Sequence, residues 1–92
     1  GLVKYNYRTK DVTPCNHFKE FASLPLISTV NEIIERKRTG EYCFATWDDG
    51  VWLYDGKRVK VINDKSYPLL KDVCIYSVLE DRDGNLWLGS RS

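Results

Sequence analysis

An internal repeat constrains the fold of this chain more than any other feature of its sequence. Residues 30–35 and 40–46 return in similar form as residues 75–80 and 84–90, so the first part of the pattern recurs after 45 positions and the second after 44. Self-similarity at such a period is typical of solenoids and propellers, in which each repeat is one supersecondary unit. The chain of 92 residues therefore holds about two repeats.

The same pattern links the end of the chain to its beginning. Residues 1–6 (GLVKYN) are similar to residues 50–55 (GVWLYD), and residues 90–92 would lead naturally into residues 1–6. The chain starts with Gly1 and contains no methionine. We therefore expect an internal piece of a longer protein, cut at the same phase of the repeat at both ends.

Local signals within each repeat favour short strands joined by tight turns. Residues 75–80 and 86–90 are rich in β-branched and aromatic side chains, and the Asp-Gly-Asn sequence at 83–85 tolerates the positive φ of a hairpin turn. Residues 51–54 and 58–62 form a second such pair around an Asp-Gly turn. Four short antiparallel strands in roughly 45 residues are the pattern of one propeller blade.

The sequence thus predicts an all-β chain, a β-propeller fragment of about two blades built from short four-stranded antiparallel sheets. We expect residues 1–26 to form the second half of one blade plus a connector, residues 27–70 one complete blade plus a connector, and residues 71–92 the first hairpin of the next blade. The alternative is a helix over residues 29–38, where apolar residues also fall near helical spacing. Gly40, which follows soon after, favours the strand.

Residues 75–90 (IYSVLEDRDGNLWLGS) closely resemble the two-component regulator propeller repeat. Residues 1–6 look like the closing strand of that repeat and residues 49–55 like a diverged copy. The resemblance implies a fragment of the extracytoplasmic, periplasmic sensor propeller of a bacterial hybrid two-component system regulator. Such a parent is membrane-anchored, and its sensor histidine kinase modules would lie outside this chain. The fragment itself would be a carbohydrate-sensing, signalling scaffold that binds an oligosaccharide, and not an enzyme.

A fragment of a propeller carbohydrate-active enzyme, of lyase or sialidase type, is the alternative function. The lone His17 is not accompanied by a recognisable nucleophile motif, so the sequence predicts no catalytic constellation. Glu35 and Glu80 could suggest a glycosidase pair, but their equivalent positions in the repeat favour a structural role. The acidic segment 81–85 is similar to a calcium loop or an Asp-box, yet Gly84 stands fourth rather than sixth in it. We read it as a hairpin turn.

The composition limits the partners. The chain has 14 Lys and Arg against 13 Asp and Glu, a net charge of +1, which provides no basic footprint for nucleic acid. Its longest apolar stretch is interrupted and too short for a membrane span, so we expect no membrane contact by this segment. Cys15, Cys43 and Cys74 are odd in number and lack metal-binding spacing, which argues against a zinc site and a complete disulfide framework; we expect buried or incidental thiols and no metal or cofactor. The expected partners are neighbouring propeller blades or other copies of this chain, and an oligosaccharide.

The candidate ligand-binding residues are Trp47, Asp48, Asp49 and Arg91. They lie in the segments that join the second and third strands of a blade, which share a face with the connectors between blades. Trp47 could stack on a sugar ring while the charged side chains bond hydroxyl groups. By contrast, Trp52 and Trp87 stand within alternating strands and are expected to be buried between blades.

Overall fold

The chain folds into a row of small antiparallel β-sheets. The computed structural model of the chain describes residues 1–24 and 28–91. Its strands are β1 (Val3–Tyr5), β2 (Val12–Pro14), β3 (Val30–Glu35), β4 (Tyr42–Thr46), β5 (Val51–Tyr54), β6 (Val59–Ile62), β7 (Cys74–Glu80) and β8 (Leu86–Arg91). Two short 3₁₀ segments, Cys15–His17 and Lys19–Phe21, follow β2, and one, Pro68–Leu70, follows β6. The all-β class is confirmed, and the helical alternative over residues 29–38 is wrong because β3 occupies that segment.

The strands pair in the order β1-β2, β3-β4-β5-β6 and β7-β8, all antiparallel. The middle sheet is a complete four-stranded blade, and a two-stranded sheet lies on each side of it in sequence. This arrangement is that of a propeller fragment, as predicted. The expected boundary between residues 26 and 27 lies outside the described residues, so the division into 1–26, 27–70 and 71–92 stays a prediction.

The repeat extends to the irregularities of the strand ladders. The register of β3 against β4 shifts at Asn31, between Val30 and Glu32. The register of β7 against β8 shifts in the same way at Tyr76, between Ile75 and Ser77. A β-bulge leaves one residue out of the ladder and bends its strand. The two hairpins therefore share one geometry, which the sequence spacing alone did not reveal.

The middle blade is buried on both faces, because successive side chains of a strand point to opposite sides of the sheet. Cys43 and Leu53 face the β7-β8 sheet and are less than a tenth exposed. Phe44 and Trp52 face the β1-β2 side, where Phe21 completes an aromatic cluster. Burial raises the pKa of the Cys43 thiol to about 11, so this free cysteine is a packing residue rather than a reactive one.

An ion pair between the two hairpin turns joins the middle blade to the β7-β8 sheet. The Arg36 Nε atom donates to Glu80 Oε2 at 2.7 Å, and the Lys37 backbone N–H donates to Glu80 Oε1 at 2.8 Å. The Arg36 guanidinium also donates to the Gly84 carbonyl oxygen at 2.9 Å. The basic turn of the middle copy, a departure from the repeat pattern, thus binds the acidic turn of the next copy. This contact gives Glu80 a structural role, whereas Glu35 at the equivalent repeat position is exposed.

Replacing Glu80 with glutamine is expected to lower the Tm by several degrees at neutral pH. The hydrogen bond from Arg36 lowers the pKa of Glu80 below its ordinary value of 4.5. Its ionised form therefore stabilises the fold above that value, and the stabilisation is lost as the pH falls through the lower folded pKa. Thermal unfolding followed by circular dichroism should show the gap between wild type and Glu80→Gln closing as the pH falls below 4.5 and through the lowered pKa of folded Glu80.

Glu35→Gln is the matched control for this measurement. Glu35 holds the equivalent repeat position but is exposed, so its substitution should change the Tm little at either pH. A gap between wild type and Glu80→Gln that stays the same at neutral and acid pH would show that the charge of Glu80 does not stabilise the fold.

Candidate functional site

A cleft of about 550 Å³ opens between the middle blade and the β7-β8 sheet. It lies at the end of the blades where the loop between β4 and β5 meets the connector that follows β6. Its lining residues are Trp47, Asp48, Asp64, Asp72, Cys74, Tyr76 and Arg91. Three of the four residues predicted to bind a ligand are therefore brought together in one place.

Two partly exposed aromatic rings line the cleft. The ring centroids of Trp47 and Tyr76 are 5.9 Å apart with an interplanar angle of 79°, an edge-to-face arrangement. The side chains are 49% and 37% exposed, respectively. Because the rings come from two different sheets, a ligand that contacted both would bridge the two repeats.

Hydrogen bonds from Thr46 and from the backbone of Trp47 fix the loop that carries Trp47 and Asp48. The Thr46 hydroxyl donates to the Gly50 carbonyl oxygen at 2.8 Å and accepts from the Asp49 backbone N–H at 2.9 Å. The Trp47 backbone N–H donates to the Thr29 carbonyl oxygen at 2.8 Å. Thr46 itself is fully buried. This bonding holds the loop tip in position, as a preorganised binding loop requires.

Asp48 and Asp49 have different roles. One oxygen of Asp48 accepts from the buried Ser28 hydroxyl at 2.9 Å, and the exposed side chain lines the cleft. Asp49 instead accepts from Trp52 Nε1 at 2.8 Å and from Asn63 Nδ2 at 3.0 Å, one donor for each oxygen. Asp49 therefore ties the loop to β5 and to the following connector, and it is not among the residues that line the cleft.

Sequence reasoning missed Tyr76 and the two connector aspartates, Asp64 and Asp72. The connectors between blades were expected to share a face with the loop between the second and third strands. That expectation could have placed the connector residues Asp64 and Asp72 near the candidate site. Tyr76 had none, since its repeat equivalent is Asn31 and its position depends on the bulge in β7.

The acidic turn between β7 and β8 is a closed hydrogen-bonded structure. Asp81 Oδ1 accepts from the backbone N–H groups of Asp83 and Asn85, each at 2.9 Å, and Oδ2 accepts from Trp87 Nε1 at 2.9 Å. These bonds lower the pKa of Asp81, the bond from Trp87 most of all. The carboxylate that bonds the local backbone of this hairpin turn is thus that of Asp81.

Trp87 also differs from expectation. Its indole is 65% exposed, whereas Trp52 is buried as predicted. Trp52 has a sheet on each side of its blade, and the face of β8 that carries Trp87 is uncovered among residues 1–24 and 28–91.

Other site types find no support within the described ranges. Residues 1–24 and 28–91 contain no group of three or more His, Cys, Asp or Glu arranged to hold a metal ion. In the same ranges, no helix combines the length and the apolar character needed to cross a membrane. His17 lies exposed in the 3₁₀ turn after β2 and is not among the residues that line the cleft.

One comparison with known proteins gives a match at the end of the chain. The family model described as two component regulator propeller matches the segment from the 3₁₀ turn before β7 to the C-terminus. Residues 69–92 match the two-component regulator propeller repeat. The resemblance predicted from residues 75–90 is therefore confirmed, and that for residues 1–6 and 49–55 stays a prediction. No curated protein and no solved structure gives a significant match to the chain.

The segment that matches the two-component regulator propeller model supplies one wall of the cleft. The matched segment includes Asp72, Cys74, Tyr76 and Arg91, while Trp47 and Asp48 come from the middle blade. The family is a regulator repeat rather than a catalytic module. The cleft therefore stands between a matched repeat and the complete blade that packs against it.

Proposed function

We propose that this chain is part of the extracytoplasmic sensor propeller of a hybrid two-component regulator, and that the Trp47–Tyr76 cleft binds an oligosaccharide. The repeat at residues 69–92 supports a regulator propeller region. The cleft between two blades supports ligand binding, since loops on a rigid scaffold are where propellers and similar folds carry their sites.

The pairing of aromatic and polar side chains carries the assignment to a sugar. A pyranose ring presents an apolar face edged by hydroxyl groups, so its site needs an aromatic surface with hydrogen-bonding groups beside it. Trp47 and Tyr76 provide the surface. Asp48 and Arg91 provide an acceptor and a donor at the same cleft.

The charge of the cleft favours a neutral oligosaccharide over an acidic one. Three aspartates and one arginine line it, so acidic side chains outnumber basic ones. A uronic acid or a sulfated sugar would bring further negative charge into this cleft, and like charges at close range oppose binding.

In this proposal the ligand signals by bridging the two blades. Trp47 belongs to the middle blade and Tyr76 to the next sheet, so a sugar held by both would stabilise one arrangement of the blades relative to others. The parent protein would carry this change through a membrane anchor to histidine kinase modules on the other side. The reading frame around residues 1–92 tests this part: a secreted chain that ended after its propeller would contradict it.

Trp47→Ala is expected to weaken oligosaccharide binding about tenfold or more, because the variant loses one of the two aromatic surfaces. Isothermal titration calorimetry against a panel of neutral and acidic oligosaccharides would measure this effect. Trp87→Ala is the matched control, since Trp87 is also exposed but lies outside the cleft. Equal affinity of wild type and Trp47→Ala for the best ligand, or no binding by any member of the panel, would contradict the proposal.

A further inference from the structure

The structure points to a second copy of this chain as the partner of its uncovered faces. We propose that, when residues 1–92 form a separate chain, β8 of one copy pairs with β1 of another in a head-to-tail contact, which completes a four-stranded blade in the order β7-β8-β1-β2. This inference is independent of the sugar site.

One half of the contact is the outer face of the β7-β8 sheet, where Leu79 and Trp87 are 64% and 65% exposed. Their repeat equivalents are Ile34 and Cys43 in the middle blade. Those residues pack against the next sheet, and Cys43 is fully buried there. In the middle blade, the equivalent face is covered by the sheet that follows it. The outer face of β7-β8 is the same face of the next repeat, and it is exposed.

The other half is an apolar groove of about 360 Å³ on the opposite side of the middle blade. Ile33 and Tyr42 line it and are 49% and 44% exposed. Their repeat equivalents are Val78 and Leu86, which pack into the core shared with the preceding blade. One chain therefore exposes both surfaces whose counterparts form its own blade-to-blade core.

The edges of the strands give the register of the contact. Within the middle blade, Tyr42 lies opposite Tyr54 and Phe44 lies opposite Trp52. The equivalent residues of β8 are Leu86 and Leu88, and those of β1 are Tyr5 and Val3. In the proposed contact, Leu86 of one copy therefore lies opposite Tyr5 of the other, and Leu88 lies opposite Val3. Both strands have a free edge for this pairing within the described residues, since β8 pairs only with β7 and β1 only with β2. Exposed strand edges of this kind readily add a further strand.

Propeller geometry favours a closed ring over a fibre, because the blades of a propeller are arranged around a central channel. The contact is heterologous, so it forms rings when the rotation closes. Each copy contributes roughly two blades, and propellers usually have about four to eight, so rings of about two to four copies are expected. Within one chain, the Arg36–Glu80 ion pair joins the middle blade to the β7-β8 sheet. The repeat equivalent of Arg36 at the contact between copies is Asp81, so that contact lacks this ion pair. We therefore expect association that reverses on dilution.

Two charge substitutions on opposite faces test the proposal. Trp87→Glu alters the outer face of β7-β8, and Ile33→Glu alters the groove; both side chains are about half exposed or more, so the monomer should remain folded. Light scattering after size-exclusion chromatography should give a ring for wild type at high concentration. Each variant alone should associate at least tenfold more weakly, while circular dichroism stays unchanged.

Mixing the two variants gives the decisive result. The Trp87→Glu copy keeps an intact groove, and the Ile33→Glu copy keeps an intact outer face. A 1:1 mixture should therefore form a heterodimer and nothing larger, which a contact between two identical faces cannot do. Trp47→Ala should associate like wild type. A monomer at all concentrations, oligomers that neither variant weakens, or a mixture that stays monomeric would each overturn the proposal, whatever the outcome of the sugar titrations.

Discussion

Replacing Gly50 with alanine is expected to destabilise the chain by about 3 kcal/mol or more, a large fraction of what a domain of this size has. Gly50 has a φ of +66°, and a Cβ atom there would overlap the carbonyl oxygen of Ile62. Left-handed backbone costs an L-residue about 1–2 kcal/mol, and crowding in a packed site costs about 1–3 kcal/mol more. Urea unfolding followed by tryptophan fluorescence would measure the loss.

Gly56→Ala separates the two causes. Gly56 has a φ of +98°, but a Cβ atom there would have no neighbour within 4 Å. Its substitution should cost only the backbone part, about 1–2 kcal/mol. Equal losses at Gly50 and Gly56 would show that the contact with Ile62 is unimportant.

The second large effect is expected at Trp52. Its indole is 4% exposed, packs with Phe21 and Phe44, and donates to Asp49. Truncation to alanine removes this packing and leaves Asp49 without one of its two donors, so we expect a loss of about 3–5 kcal/mol. The midpoint of urea unfolding should fall accordingly.

Trp87→Ala, measured in dilute solution, is the control for Trp52. Both residues are tryptophans on blade strands and both donate their indole N–H to an aspartate, but Trp87 is mostly exposed. Its truncation should cost about 1 kcal/mol or less. A loss as large as that of Trp52→Ala would mean that the outer face of β7-β8 is covered even in the monomer.

The blade architecture could be predicted from the sequence because the chain is repetitive, so strong local signals in one copy also apply to a copy where they are weaker. The hairpin at residues 75–90 has strong strand and turn signals, and its alignment with residues 30–46 extends them to a copy in which Cys43 replaces Trp87. The helix over residues 29–38 was only an alternative, and pairing of β3 with β4 excludes it.

What the sequence could not predict depends on tertiary position. Trp87 was expected to be buried because its strand alternates, but alternation says only which face a side chain occupies and not what covers that face. The roles of Asp49 and Arg36 depend on partners 14 and 44 residues away along the chain, Asn63 and Glu80. No local pattern contains that information.

The bulge positions have a consequence for how such a protein can vary. Asn31 and Tyr76 are left out of the strand ladder, so neither side chain is dictated by a cross-strand neighbour. In one repeat, the Asn31 side chain donates a hydrogen bond to the Ile75 carbonyl oxygen at 2.9 Å and so joins the middle blade to the β7-β8 sheet. In the next, the equivalent residue presents an aromatic ring to the cleft. Mutation at this single position can therefore change the role of a repeat from bonding two blades together to lining the cleft between them, while the strands keep their register.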